Sequence, residues 1–335
     1  MLLVGTNLSL LDLDRSFTLA EDASVTALAV SGGRAFAMLD AERVDSIEEF
    51  DCQPEAALPE PSGQSMAILA TSDGSRPAPA GLSGGGPDVE AESSRTVHHL
   101  VHHHQAQAGA GDQVDLLVGM TGARLVRVTS GGEVRPISSF DSLPGRAEWE
   151  NPAGPTPDLR SIAVGGDGQW LANVHVGGVW ASDDEGSSWT AVIEAAADVH
   201  EVVAAGGRVA VAAAIGTGWS ENRGATWQWS TEGLAASYSR AVALDGDTIY
   251  VTASTGPSTT AAALYRAKLG KRFEKCTGGL PEWFPFNIDT ASLSARDGRV
   301  VFGTRDGQVF ESKDEGSTWG IVAEHVGPVR CVQLT

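Results

Sequence analysis

Arginines occur near the starts of several short apolar runs along this chain of 335 residues. Three of them are Arg160, Arg240 and Arg330. A guanidinium group can bind carboxylate or phosphate oxygens through paired hydrogen bonds. If the fold brings these three positions together, they predict a binding site for a small anionic molecule.

Two histidines and a glutamate in similar positions could move protons beside such a site. His175 and His200 are candidate general bases, because the pKa of an imidazole lies near neutral pH. Glu201 follows His200 directly and completes the candidate catalytic set. No spacing among these residues selects a particular reaction, so the sequence leaves catalysis open. The other candidate ligand-binding residues are His98, Trp149, Tyr238, Trp283 and Asp289.

A histidine-rich run suggests a metal site as a further hypothesis. Five of the seven residues from 98 to 104 are histidine. Alternate side chains on a strand point to opposite faces, so no more than two or three of these imidazoles can share one ion. Two interpretations stay open. The run either packs between sheets and enters a solvated turn, or His98 joins His175, His200 and a carboxylate around a divalent metal.

The elements that must position these residues are marked by three copies of one pattern. The pattern is Ser-x-[Asp/Asn]-x-Gly-x-[Ser/Thr]-Trp, at 182–189, 220–227 and 312–319. The acidic or amide side chain can hydrogen-bond its own turn, the glycine supplies a positive φ, and the tryptophan packs between neighbouring sheets. The structural residues of the pattern are Ser182, Asp184, Gly186, Trp189, Asn222, Gly224, Trp227, Ser312, Asp314, Gly316 and Trp319.

This pattern resembles the Asp-box turn of BNR repeats in sialidase-like and sortilin-like β-propellers. The stretch 170–332 is also similar to a group of prokaryotic proteins described as BNR or WD/YVTN-like repeat proteins. The segments that carry this second resemblance are 173–178, 198–200, 238–242, 254–257, 280–284 and 287–290. The resemblance implies an all-β propeller and a shared site, but it implies no substrate.

The number of repeats predicts the architecture. Opening strands are expected at 25–28, 97–100, 159–162, 199–202, 238–241, 289–292 and 329–332. We therefore predict a seven-bladed β-propeller of four-stranded antiparallel blades, with six or eight blades as alternatives. The N-terminal strand would complete the blade that the C-terminal strand opens, which removes exposed sheet edges.

The whole chain, 1–335, is predicted to be one propeller domain. The segment 51–95 is rich in proline, glycine and acidic residues, and we predict it to be a partly disordered insertion between blades one and two. One strand-like run within it, Met66–Ala70, is interpreted as a possible outer strand of blade one. In a propeller the inner strands start at one face, so the arginines and histidines are expected at one mouth of the central channel.

Composition excludes several classes of partner. The net charge of −20 argues against binding to nucleic acid or to acidic membranes, because like charges repel. Cys52, Cys276 and Cys331 form no close pair or metal-binding spacing, which favours a reducing, cytoplasmic location. No apolar run reaches the length that crosses a membrane.

Three functions therefore remain as hypotheses. The preferred one is a polar, Arg/His-lined site for a small anionic ligand at the channel mouth. The alternative is a non-catalytic scaffold for a protein partner. A sialidase-like exo-glycosidase, with Tyr238 as nucleophile and Glu201 as base, is the third. The absence of an Arg-Ile-Pro-type motif near the N-terminus and the predicted seven blades argue against it, since sialidases use six blades.

Overall fold

The computed structural model describes residues 1–6, 9–13, 17–21, 25–31, 34–39, 43–48, 51–57, 63–69, 100–101, 115–152 and 154–335. These residues confirm the all-β prediction, since short antiparallel strands dominate and the helical segments are single turns. The helical turns are α1 (Ser138–Asp141) and two 3₁₀ segments, Arg146–Glu148 and Ala195–Ala197.

The strands follow one another in chain order. The N-terminal strands are β1 (Leu2–Thr6), β2 (Ser9–Asp12) and β3 (Phe17–Glu21). Sheet one contains β4 (Val25–Ser31), β5 (Arg34–Leu39), β6 (Arg43–Glu48) and β7 (Asp51–Ala57). Sheet two contains β8 (Gly63–Leu69), β9 (Leu100–Val101), β10 (Asp115–Met120), β11 (Arg124–Val128) and β12 (Val134–Pro136).

The next two sheets each have four antiparallel strands. Sheet three contains β13 (Leu159–Val164), β14 (Trp170–Val174), β15 (Gly178–Ser182) and β16 (Thr190–Ile193). Sheet four contains β17 (Val199–Ala205), β18 (Arg208–Ala213), β19 (Gly216–Ser220) and β20 (Gln228–Ser230).

The remaining strands repeat the same plan. Sheet five contains β21 (Tyr238–Asp245), β22 (Thr248–Ser254), β23 (Ala262–Lys268) and β24 (Glu274–Lys275). Sheet six contains β25 (Leu293–Arg296), β26 (Arg299–Gly303), β27 (Val309–Ser312) and β28 (Gly320–Ala323). Sheet seven has the order β29 (Val329–Leu334), β1, β2, β3, so the last strand pairs with the first.

The first strands of neighbouring sheets contact one another in series. The contacts run from β4 through β8, β13, β17, β21, β25 and β29, and β29 contacts β4 again. Apolar side chains fill the spaces between neighbouring sheets. Between sheets five and six, for example, the rings of Phe302 and Phe310 stack with centroids 5.0 Å apart, and Trp319 packs against Phe302 at 5.2 Å. The core is therefore divided among the gaps between sheets.

The three repeated turns have one geometry. In each, the serine hydroxyl accepts a hydrogen bond from the glycine N–H at 2.8 Å, as Ser182 does from Gly186. The carboxylate or amide oxygen two residues after the serine accepts the N–H four residues further on, as Asp184 does from Ser188 at 2.8 Å. The mechanical role that the sequence predicts for these residues agrees with this hydrogen bonding.

Sheet two differs from the sequence expectation. Its long strand beside β10 is β8. Of the expected opening strand 97–100, residues 97–99 lie outside the described residues and Leu100 lies in β9. β8 pairs with β10 over six residue pairs, while Leu100–Val101 forms only a two-residue parallel pairing on the other side of β8.

The same correction moves Met66 from blade one to sheet two. The outer strand of sheet one is β7, and both β7 and β8 lie within the segment 51–95. The rest of that segment and His98 lie outside the described residues. The single-domain assignment and the role of the segment stay predictions. Within the described part of the chain, none of the helical segments has the length and apolar character that a membrane span requires.

Candidate functional site

Four charged or titratable residues share one structural position, the second or third residue of a sheet's first strand. The register with the neighbouring strand shifts at each of these positions, so each residue is the extra residue of a β-bulge. A bulge bends its strand and redirects a side chain. The four residues are Arg160, His200, Arg240 and Arg330.

Arg160 links sheets that are distant in the chain. Its guanidinium donates from Nη1 to His175 Nε2 at 3.0 Å and from Nη2 to Thr290 Oγ1 at 3.4 Å. The side chain is buried, with 3% of the residue exposed. Burial lowers the pKa of Arg160 to about 10, and the nearby charge of Arg240 adds to this effect. Arg160 therefore still carries its positive charge at neutral pH.

His175, Asp198 and His200 face one another beside Arg160. Asp198 Oδ1 lies 3.4 Å from His175 Nε2, and Asp198 Oδ2 lies 3.6 Å from His200 Nε2. Asp198 ends the 3₁₀ segment Ala195–Ala197 with a left-handed backbone, φ 47°. Aspartate tolerates this conformation better than most residues do. His200 is fully buried, and its Nδ1 donates to the carbonyl oxygen of Ser239 at 2.6 Å.

The environment keeps both imidazoles neutral at neutral pH. Burial lowers the pKa of His200 to about 4, although Asp198 opposes this effect. Burial also lowers the pKa of His175, again against the influence of Asp198. The group therefore combines one carboxylate with two neutral imidazoles.

Sheet five adds a second arginine to this group. Arg240 Nη1 lies 2.6 Å from Asp289 Oδ1, and the guanidinium carbon of Arg240 lies 5.5 Å from the centre of the Tyr238 ring. The Tyr238 ring in turn lies 4.7 Å from the His200 ring. Thr290 Oγ1, which accepts from Arg160, also bonds the backbone carbonyls of His200 and Arg240 at 3.3 Å. These contacts join sheets three, four, five and six into one polar cluster, which we call the mouth cluster. Its members are Arg160, His175, Asp198, His200, Tyr238, Arg240, Asp289 and Thr290.

Glu201 has a different setting from the one predicted for a catalytic base. It is fully buried, and its Oε2 accepts the Val242 N–H at 2.8 Å while its Oε1 accepts the Ala291 N–H at 3.1 Å. Ala291 has a left-handed backbone, φ 65°. The carboxylate thus ties sheet four to sheets five and six.

Among the described residues, the predicted ligand-binding residues Trp149, Trp283 and Arg330 make other contacts. Trp149 is buried in the core, where the guanidinium of Arg146 stacks 4.6 Å above its ring. Trp283 is 37% exposed, and the amine of Lys275 lies 3.4 Å from its ring centre. The Nε of Arg330 is buried, and the described residues supply no hydrogen-bond acceptor for it. His98 lies outside the described residues.

Asp198 is the functional candidate that the sequence analysis missed. It precedes His200 by two residues and lies in the segment 198–200, which is one of those that carry the second resemblance. That segment was the available signal. It was obscured because aspartate before a strand is also a common turn residue.

A cavity of about 210 Å³ lies at the opposite ends of the first strands. Its lining includes Asp245, Arg296 and Gln333. The Asp245 carboxylate accepts the backbone N–H groups of Asp297 at 3.1 Å and Gly298 at 2.7 Å. Because the Asp245 carboxylate already accepts these two N–H groups, it is less available to bind a ligand than the polar groups of the mouth cluster are.

No family model matches this chain, and no curated protein is similar to it in sequence. Among solved structures, the fold is similar to the GH74 xyloglucanase from Xanthomonas campestris, with a TM-score of 0.54 and 16% identity over 95% of this chain and 46% of that one. An ancestral GH74 enzyme has a TM-score of 0.55 and 15% identity over 99% of this chain and 39% of that one. The chain thus spans less than half the length of these two structures.

Both GH74 structures are β-propellers. This chain has a β-propeller fold. A chain from a nidogen/laminin complex is similar as well, with a TM-score of 0.51 and 8% identity over 99% of this chain and 96% of that one. At identities this low the likeness extends to the fold of the propeller and not to an activity.

Proposed function

We propose that the chain is a seven-bladed Asp-box propeller closed by the pairing of β1 with β29, and that its mouth cluster binds a small anionic molecule. The seven sheets, the serial contacts of their first strands and the three repeated turns support the architecture. The position of the arginines at bulges of those first strands supports the site.

The observation that carries the proposal is the setting of Arg160. A buried cation is usually paired directly with a carboxylate, because an unpaired buried charge is costly. Arg160 instead donates to a neutral imidazole and a hydroxyl, with Arg240 nearby. The nearest acids are already shared, Asp289 with Arg240 and Asp198 with the two histidines. An anionic ligand at this mouth would supply the charge partner that Arg160 lacks in the described part of the chain.

The test is a thermal-shift screen of carboxylate- and phosphate-bearing metabolites against the purified protein. A ligand at about 100 times its dissociation constant stabilises the folded state by about 2.7 kcal/mol, a shift of a few degrees in Tm for a chain of this size. We expect Arg240→Gln to abolish the shift. It should change the Tm of the free protein only slightly, because its ion pair with Asp289 is partly exposed.

Arg208→Gln is the matched control. Arg208 donates to the carbonyl oxygen of Gly246 on an exposed part of the surface at the other end of the strands. The control variant should retain the full ligand-induced shift. If the ligand-induced shift in Tm survives Arg240→Gln but is lost in Arg208→Gln, the ligand binds away from the mouth cluster.

An exposed apolar cleft favours the protein-interaction scaffold as a second candidate function. The cleft, of about 370 Å³, lies between the outer strands of sheets three and four. Ile215 and Trp229 line it and are 53% and 38% exposed. Apolar side chains clustered at a surface are typical of docking sites. If the protein is such a scaffold, the double variant Ile215→Ser, Trp229→Ser should bind an isolated protein partner more weakly. Arg240→Gln should leave that binding unchanged.

The sialidase-like hypothesis receives no comparable support. It needs the Glu201 carboxylate to activate Tyr238, and the contacts of Glu201 with backbone N–H groups of Val242 and Ala291 serve another purpose. The Tyr238 ring packs beside His200 and Arg240. This placement suits a wall of the anion site.

A further inference from the structure

We infer that His175, Asp198 and His200 form a binding centre for a divalent transition-metal ion such as Zn²⁺. One potential ligand atom from each residue lies within 4.8 Å of the other two. Two imidazoles and a carboxylate are a frequent ligand set for such ions. The inference goes beyond the proposed anion site and does not depend on it, since the ion is tested alone.

The distances between the donor atoms suit one shared ion. Two ligands at about 2.0–2.1 Å from a tetrahedral Zn²⁺ are roughly 3.3–3.4 Å apart. The carboxylate oxygens of Asp198 lie 3.4 Å from His175 Nε2 and 3.6 Å from His200 Nε2. These two distances involve different oxygens of Asp198, and one donor atom of each residue lies within 4.8 Å of the other two. Rotation of the side chains would have to bring the three donors to bonding distance.

Hydrogen bonding outside the cluster prepares His200 for this role. Its Nδ1–H donates to the Ser239 carbonyl, so Nε2 carries the lone pair that faces Asp198. A hydrogen bond from the second ring nitrogen to a carbonyl is the usual way in which proteins orient a metal-binding histidine. His200 is fully buried, and its Nε2 has no hydrogen-bond partner among the described residues.

The electrostatics of the cluster also point to a cation. Arg160 donates to His175 Nε2, which makes that nitrogen an acceptor as well. The lone pair of His175 is directed to Arg160, whereas the lone pair of His200 faces the carboxylate of Asp198. A lone pair and a carboxylate repel unless a positive charge lies between them. Asp198 Oδ1 is buried and, like His200 Nε2, has no hydrogen-bond partner in the described part of the chain.

Metal binding would change the role of Arg160. The ion would use the lone pair of His175 that now accepts from Arg160 Nη1, so this N–H would be released. Three protein ligands leave at least one coordination position for another molecule, as in catalytic zinc sites. An anionic oxygen could then contact both the ion and the freed guanidinium group.

The test is calorimetric titration of the folded protein with Zn²⁺, in a background variant whose five histidines between 98 and 104 are replaced by alanine. The background removes competing imidazoles that are outside the proposed ligand set. We expect one equivalent to bind in this background. Asp198→Asn and His200→Gln should each weaken that binding by more than about 100-fold, beyond the effect typical of residues outside the coordination shell.

His325→Asn is the matched control, because His325 is exposed and has a left-handed backbone that asparagine tolerates. It should leave Zn²⁺ affinity unchanged. If Asp198→Asn or His200→Gln fails to fold, X-ray absorption of the Zn²⁺-loaded background variant decides instead, and two imidazole ligands are expected. Absence of a stoichiometric ion, unchanged affinity in both ligand variants, or an absorption spectrum without imidazole would overturn the assignment.

Discussion

At the scale of single residues, this propeller buries polar and charged side chains at positions where apolar side chains are usual. Arg160, His200 and Glu201 are each buried at the start of a first strand. Each has specific partners in other sheets, and buried polar groups are tolerated only with such partners. Their hydrogen bonds therefore contribute both to the site and to the contacts between sheets.

The clearest residue-scale prediction concerns Glu201. A Glu201→Gln variant keeps the shape of the side chain but loses one of the two oxygens that accept the N–H groups of Val242 and Ala291. A buried N–H left without an acceptor costs about 1–3 kcal/mol, so we expect the free energy of unfolding to fall by that amount. Urea denaturation measures the change.

The exposed Glu221 offers the matched control, since Glu221→Gln should change stability by less than about 0.5 kcal/mol. Equal stability of the two variants would contradict the structural role of Glu201. A stable Glu201→Gln variant that loses all ligand binding would favour the catalytic role instead.

At the scale of elements, the repeated turns owe their similarity to short-range hydrogen bonds. Serine, acid or amide, and glycine lie within a few residues of one another, so each turn is specified by its own sequence. Their glycines differ only in what surrounds them. A Cβ at Gly186 would lie 2.7 Å from the Trp170 ring, whereas a Cβ at Gly224 would meet no atom closer than 3.6 Å.

This difference predicts unequal effects of the same substitution. Gly186→Ala and Gly224→Ala both place alanine at a positive φ, 79° and 82°, which costs about 1–2 kcal/mol. Gly186→Ala also overlaps Trp170, and such overpacking adds about 1–3 kcal/mol. Thermal unfolding should therefore show a markedly larger loss of stability for Gly186→Ala. Equal losses would show that the tryptophan moves freely out of the way.

At the scale of the whole molecule, the proposed ring depends on the pairing of the two terminal strands. Leu3 lies opposite Gln333, and the Thr335 N–H donates to the Met1 carbonyl at 3.1 Å. The pairing covers one edge of β1 and one edge of β29, and such edges could otherwise recruit other chains.

Closure can be tested by a cross-link between the terminal strands. In a Cys331→Ala background, Leu3→Cys with Gln333→Cys should form a disulfide, because directly opposed residues on antiparallel strands have suitable Cα separations. The bond closes nearly the entire chain into a loop and should stabilise the oxidised protein by about 2–4 kcal/mol relative to its reduced form. The reduced form is the control, and it carries the same core substitutions. Failure to cross-link, or equal Tm values for both forms, would count against the ring.

The sequence by itself determined the all-β fold, the three turns and the starts of several first strands, including those that carry Arg160, His200, Arg240 and Arg330. Turn hydrogen bonds and strand alternation act over a few residues, so a local pattern is enough to predict them. The blade count, the terminal closure and the site assignments remain predictions.

Only the tertiary structure decided which of these residues meet. It joined Asp198 to the histidines, placed Trp149 in the core and made Gly63–Leu69 a first strand of sheet two. The contact of Arg160 with Thr290 spans 130 positions in the chain. Such contacts depend on how whole sheets pack and on which strands bulge, and no short stretch of sequence contains that information.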